Sequence, residues 1–179
     1  MNFGMDALRL DSHVVLVWLH PVSDPPPTEW DACMARIEQL KVELQGDLDR
    51  LRLLVVSDGG APNAQQRTRL FSDLMEGRSR DAVVTCSLSN PIKRAIAATI
   101  GWLNPEFRAF DPDQAVQALE HIRCTAPAEQ DAIWDALVGL QHQLPPNQTL
   151  QLMAGRLGRP NPIGRSATRS GWPHSNQPR

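Results

Sequence analysis

The chain has no tyrosine, and aromatic residues make up only 5% of its 179 positions. Its core therefore has to be built from Leu, Val, Ile and Ala, a composition that suits helices laid on a sheet. Cysteine is scarce as well. Cys33, Cys86 and Cys124 are odd in number and widely spaced, with no C-x-x-C pair, which argues against a disulfide framework or a zinc site. Long apolar runs are missing: Val14 to Leu19 is the longest, far short of the ~20 residues that span a bilayer. The opening MNFGMDALRLDSH holds no basic stretch followed by an apolar one, so a cytoplasmic location is expected. G-x-S-x-G, G-x-G-x-x-G and the lysine-bearing phosphate loop do not occur, which removes the usual hydrolase, dinucleotide and nucleoside-triphosphate signatures.

What is present suffices for one domain. Hydrophobic residues at 41% and charged residues at 21% resemble ordinary globular proteins, so a sizeable core can be buried. The net charge of −2 conceals an asymmetry. Residues 145–179 hold Arg156, Arg159, Arg165, Arg169 and Arg179 and no acid; taking these five from 18 leaves 13 basic against 20 acidic residues in 1–144, or −7. The folded part should repel nucleic acid, while the tail could make weak, salt-sensitive contact with nucleic acid or anionic lipid.

Hydrophobic periodicity supplies the elements. Val14 to Leu19 reads as a strand, with Ala7 to Leu10 as antiparallel partner across Asp11-Ser12. After Asp24-Pro25-Pro26-Pro27, the pair Thr28 and Asp31 resembles a capping box, and Trp30, Cys33, Met34, Ile37, Leu40 and Leu44 form one helical stripe that Gly46 should stop. Leu51 to Val56 is apolar apart from Arg52, as in a strand covered on both faces. A helix over about 63–76, a strand over Ala82 to Cys86, and a helix opening at Ser89, Asn90 and Pro91 follow. Phe107 to Phe110 predicts a short strand, and Asp111-Pro112-Asp113 starts another helix. A final amphipathic helix is expected over Pro127 to Leu144, carrying Ile133, Trp134, Leu137 and Leu140. Beyond Pro145-Pro146 the composition turns to Gly, Pro, Ser, Asn and Arg, too poor in apolar groups to offset the entropy of ordering.

The fold class expected is α/β: a single mixed sheet of four to five strands flanked by helices. Three segments of the chain resemble the STAS superfamily in its SpoIIAA-like branch. They are LLVVSDGGAP, AVVTCSLSNPIKRAIAATIGWL and NPEFRAFDPDQAVQALEHI. The resemblance covers residues 7–124 and rests on pattern. It implies a STAS-like, non-enzymatic domain, used by relatives as an anti-sigma-factor antagonist, as a sensor or transporter appendage, or for lipid binding. In the antagonists a phosphorylatable Ser stands at a helix start in an Asp-Ser context. Here the matching loop reads Ser57-Asp58-Gly59-Gly60, with the order changed and no Ser or Thr at the next helix start. The expected organisation is a STAS-like domain over 1–124, an appended helix over 125–145 and a disordered basic tail over 146–179.

Candidate site residues cluster at two loops. Ser57, Asp58, Gly59 and Gly60 lie where open α/β sheets place ligands, at the carboxyl end of a central strand; the plainer alternative is a turn in which Asp58 bonds its own backbone. Ser87, Ser89 and Asn90 precede a helix whose free amides attract anions, and capping explains them more simply. Cys86 and Arg94 are separated by seven residues, where thiolate phosphatase loops have five. His13, His20, His121, His142 and His174 are scattered, so no metal and no cofactor is expected. Trp102 reads as core, whereas Trp134 on the last amphipathic helix marks a candidate docking face. The expectation is a non-enzymatic regulatory or scaffolding module that binds a partner protein through the loops at its central strand ends and its C-terminal helix. Self-association is a further possibility. The alternative is a small-molecule or anion binder, or a weak enzyme, using the 57–60 and 86–90 loops.

Overall fold

The computed structural model describes residues 3–75, 83–88 and 106–162. Five strands form one sheet in chain order: β1 Gly4–Arg9, β2 Val14–His20, β3 Leu51–Ser57, β4 Val83–Leu88 and β5 Phe107–Phe110. β1 runs antiparallel to β2, with Ala7 opposite Leu16, and every later pair is parallel, Leu16 facing Leu53 and Leu54 facing Thr85. The sheet is therefore mixed. Helices α1 Pro27–Glu43 and α2 Ala64–Met75 join the central strands, and α3 Ala115–His121, α4 Pro127–Gln141 and α5 Gln148–Arg156 follow β5. The helix expected after Asn90, with Trp102, lies outside the described residues.

Strand alternation explains the layering. Side chains of β2 point to opposite faces in turn, and Val14, Leu16 and Trp18 join one core while Val15, Val17 and Leu19 join the other. The first core is completed by Trp30, Cys33, Met34, Ile37 and Leu40 of α1 and Leu70 of α2. A parallel sheet in chain order with right-handed crossovers places its crossing helices on one face, which accounts for α1 and α2 lying together. The second face would then be bare. It is covered instead by Leu119 of α3, Ile133, Leu137 and Leu140 of α4, and Leu150 and Met153 of α5.

That coverage corrects three expectations. The helix at 127–141 is not an appendage to a domain ending at 124, because its apolar stripe closes the second core. Trp134 is buried there at 5% exposure and offers no docking face. Nor is the chain disordered over 146–162: α5 buries Thr149, Leu150, Met153 and Ala154, and each fully buried aliphatic side chain contributes roughly 1.5–3 kcal/mol; the rest of the expected tail, 163–179, lies outside the described residues. Gly158, at φ +63°, ends α5, with Arg159 N donating back to Ala154 O at 2.9 Å. Arg159 also pairs with Asp131 of α4.

Helix ends follow local chemistry. α1 begins at Pro27 behind Pro26, without a side-chain cap, so the expected Thr28 box does not form; a proline at the first position needs no amide partner and already has helical φ. Gly46 closes α1 at φ +78°, donating to Lys41 O at 2.9 Å. α2 has a reciprocal cap, in which Gln66 N donates to Asn63 Oδ1 at 2.9 Å and Asn63 N to Gln66 Oε1 at 2.8 Å.

Candidate functional site

The carboxyl ends of β2 and β3 meet at one rim, where His20 pairs with Ser57. Immediately after β3 the chain turns tightly. Ser57 Oγ donates to Gly60 O at 2.7 Å and accepts from Gly59 N at 3.0 Å. Gly59 sits at φ +129°, a region open mainly to glycine. Gly60 is needed for a different reason: a Cβ there would lie 2.5 Å from Pro21 O and closer still to Ser23 O. Two loops thus run backbone against backbone, joined by Asp58 N to His20 O at 3.0 Å and Gly60 N to Pro21 O at 2.8 Å.

Asp58 does not bond its own turn through its carboxylate. It reaches the first turn of α5, accepting from Gln148 N at 2.6 Å and Thr149 N at 2.7 Å. A carboxylate at a helix N-terminus is favoured by the free amides and by the helix dipole. Thr149 Oγ1 adds a bond to Ser57 O at 2.8 Å. Asn147, fully buried, accepts from Leu150 N at 2.8 Å through its side chain and donates Nδ2 to His20 O at 2.8 Å. Gln141 completes the clamp, its Oε1 accepting from Asn147 N at 2.9 Å and its Nε2 donating to Pro145 O at 2.8 Å. The rim proposed from sequence is a fastening point for residues 141–149.

Of the other candidates, Ser87 falls within β4, opposite Val56 and Phe110, while Ser89 and Asn90 lie outside the described residues. Sequence reading passed over the groups on the α1 side of this rim. His20 is fully buried and stacks on Phe3 at 5.1 Å between centroids, with Trp18 edge-on at 5.9 Å to both His20 and Trp30. Both His20 ring nitrogens and the indole nitrogens of Trp18 and Trp30 have no hydrogen-bond partner. Burial pushes the His20 pKa from 6.5 down to about 4, against a pull from Asp24, so the ring is neutral near pH 7. A different cleft, of about 430 Å³, lies between Asp111, Pro112, Asp113, Leu152 and Arg156. Its Arg156 and Asp113 charges oppose one another at 3.9 Å.

The opposite rim holds a second constellation. His13, just before β2, places Nδ1 at 2.8 Å from Ser12 Oγ and Nε2 at 3.2 Å from Cys124 Sγ. The buried guanidinium of Arg52 donates to Asp49 O at 2.5 Å and Leu51 O at 3.0 Å and leaves Nε unpartnered. Among the described residues no group of three or more His, Cys, Asp or Glu side chains is placed to hold a metal ion, and no helix is long and apolar enough to cross a membrane.

The class defined by strand pairing and layering is a mixed α/β sheet between two helical layers. Among solved structures the chain is similar to an uncharacterized protein of the DUF3478 family with a SpoIIAA-like fold from Shewanella loihica PV-4. The two share 15% sequence identity at a TM-score of 0.48, over 68% of this chain and 94% of that one. No family model matches the sequence, and no curated protein does.

Proposed function

We propose that this chain is a non-enzymatic regulatory or scaffolding module that engages a partner protein at the carboxyl rim of β2 and β3. The observation that supports this reading is the use of Ser57 and Asp58 by the chain's own backbone. The Asp58 carboxylate is occupied in holding α5 and the Ser57 hydroxyl in closing its own turn, and the rim offers outward a fixed shape. Val22, 74% exposed, stands at the tip of a loop held by Gly60 N to Pro21 O, Ala61 N to Asp24 Oδ1 at 2.9 Å and Gln66 Nε2 to Pro25 O at 3.3 Å. A loop already held in place loses little freedom on binding. The balance over residues 1–162, 15 basic against 20 acidic or −5, favours a partner with a basic surface. A small anion at this rim would have to displace the Asp58 carboxylate from the amides of Gln148 and Thr149.

The test uses the full chain as bait in three forms: wild type, Val22→Asp and Val42→Asp. Val42 is equally exposed at 77% but sits near the far end of α1, about 20 Å along the helix from Pro27 at 1.5 Å per residue. The expected result is a protein held by wild type and Val42→Asp and weakened at least ~10-fold by Val22→Asp, as loss of a central apolar contact predicts. A partner set indifferent to Val22, or none at all, overturns the reading.

A further inference from the structure

We infer that Cys124 is a hydroperoxide-reactive thiol whose proton is taken by His13. The proposal is independent of the carboxyl rim, because this group lies at the amino ends of β2 and β3. Residues 111 positions apart supply a nucleophile, a base within hydrogen-bond reach of it, and a third group orienting that base, the arrangement that activates nucleophiles generally. In the tautomer whose Nδ1–H donates to Ser12 Oγ at 2.8 Å, Nε2 of His13 is bare and accepts the Cys124 S–H across 3.2 Å. Ile122 O, at 3.7 Å, is the longer alternative acceptor for the same proton. Burial and the Arg52 charge hold the His13 pKa below 6.5, which keeps the ring neutral and able to take a proton near pH 7.

A second observation points to this cluster. Arg52 is 6% exposed with Nε unpartnered, and its charge acts on both His13 and Cys124. Leaving a buried charged donor unused is costly, and an oxygen added to the sulfur on which this charge acts would bring a new acceptor into the cluster. Burial, then Glu129, raises the Cys124 pKa to about 12 against Arg52, so the resting pair is S–H with neutral imidazole, and the thiolate forms only as the base removes the proton. Cys33 is an internal control: buried to the same degree, its pKa likewise raised to about 12 by burial, and packed in the apolar first core.

The chemistry balances with hydrogen peroxide alone. The S–H proton passes to Nε2, sulfur attacks one peroxide oxygen, the O–O bond breaks, and the departing hydroxide takes the proton from Nε2 as water. Sulfur loses two electrons and becomes the sulfenic acid. Both walls of the site are turns: Leu10 N donates to His13 O at 2.9 Å across the β1–β2 connection, and Arg123, at φ +62°, precedes Cys124 in the α3–α4 connection. Cys124 itself is fully buried, so its reaction requires a local opening at one of these turns, beside which Ser12 is exposed, to admit a molecule little larger than water.

The experiment treats the full chain with hydrogen peroxide, traps sulfenic acid with dimedone, and measures labelling at Cys124 and Cys33 by peptide mass spectrometry. Labelling at Cys124 should be at least ~10-fold faster than at Cys33, and His13→Gln should bring it down to the Cys33 rate. Ser12→Ala, at an exposed position, should slow it several-fold and serves if His13→Gln does not fold by circular dichroism. Equal rates at the two cysteines, no labelling at Cys124, or a Cys124 rate unchanged in whichever variant folds overturns the proposal.

Discussion

Replacing Asp58 by alanine deletes the carboxylate that accepts the first two amides of α5, Gln148 N at 2.6 Å and Thr149 N at 2.7 Å. Hydrogen bonds to a charged group are worth about 1.5–3 kcal/mol each, and the low end applies because Asp58 is only half-buried. Two such bonds, with about 0.5 kcal/mol from negative charge at a helix N-terminus, give a loss of about 3.5 kcal/mol. For a chain of this size that lowers Tm by about 7–14 °C. Asp58→Asn keeps one acceptor oxygen and should lose about half as much. Urea denaturation is the assay: the midpoint should fall while the slope is unchanged. Thr149→Val, which removes the bond to Ser57 O, should couple to Asp58→Ala in a double-mutant cycle, since both hold one helix end. If Asp58 were a ligand-binding group instead, its alanine variant would stay within about 0.5 kcal/mol of wild type, and that result would refute the structural role assigned to it.

Two further perturbations have clear signs. His20 accepts a proton below pH 6.5 when unfolded but only below about 4 in the buried site, so stability present above 6.5 is lost as pH falls through that window, by about 3 kcal/mol at pH 4. His20→Phe keeps the stack on Phe3, removes two unpartnered nitrogens, and should gain about 1–2 kcal/mol at pH 7 while flattening that part of the pH curve. Urea titrations at stepped pH measure both, and a slope identical to wild type would contradict the assignment. Gly60→Ala should cost at least about 2 kcal/mol, because its Cβ meets two backbone carbonyls that cannot withdraw without moving a loop. Gly139→Ala, with open space around its Cβ in an exposed helix position, should gain about 0.5–1 kcal/mol, which thermal melts of the pair will separate.

Sheet elements were readable from sequence because their signal is local. Val14–Leu19 and Leu51–Val56 are almost wholly apolar, and that density alone marks strands covered on both sides. α5 was missed for the opposite reason: its four buried residues, Thr149, Leu150, Met153 and Ala154, sit in a stretch whose average composition is that of a tail. Asn147, its N-cap, was the local signal available. Asp58 was located correctly but given the wrong bond, since its acceptors' partners lie 90 and 91 residues away and no spacing rule spans that distance. Pairing of His13 with Cys124 is hidden for the same cause. Trp134 was misjudged because periodicity shows that a helix has an apolar face without showing what covers it.

Asn147 donates to a carbonyl 127 residues earlier, and this has a consequence for biosynthesis. While the chain leaves the ribosome, Val15, Val17, Leu19, Leu54 and Val56 can be arranged into strands, yet the side chains that will cover them come from 115 onward. Until α3, α4 and α5 have been made, one whole side of the nascent sheet is a wet apolar surface, the kind of intermediate that chaperones retain and that aggregates without them. Of the described helices the last to emerge is the one that locks the rim, so completion of this sheet waits on residues 148–156.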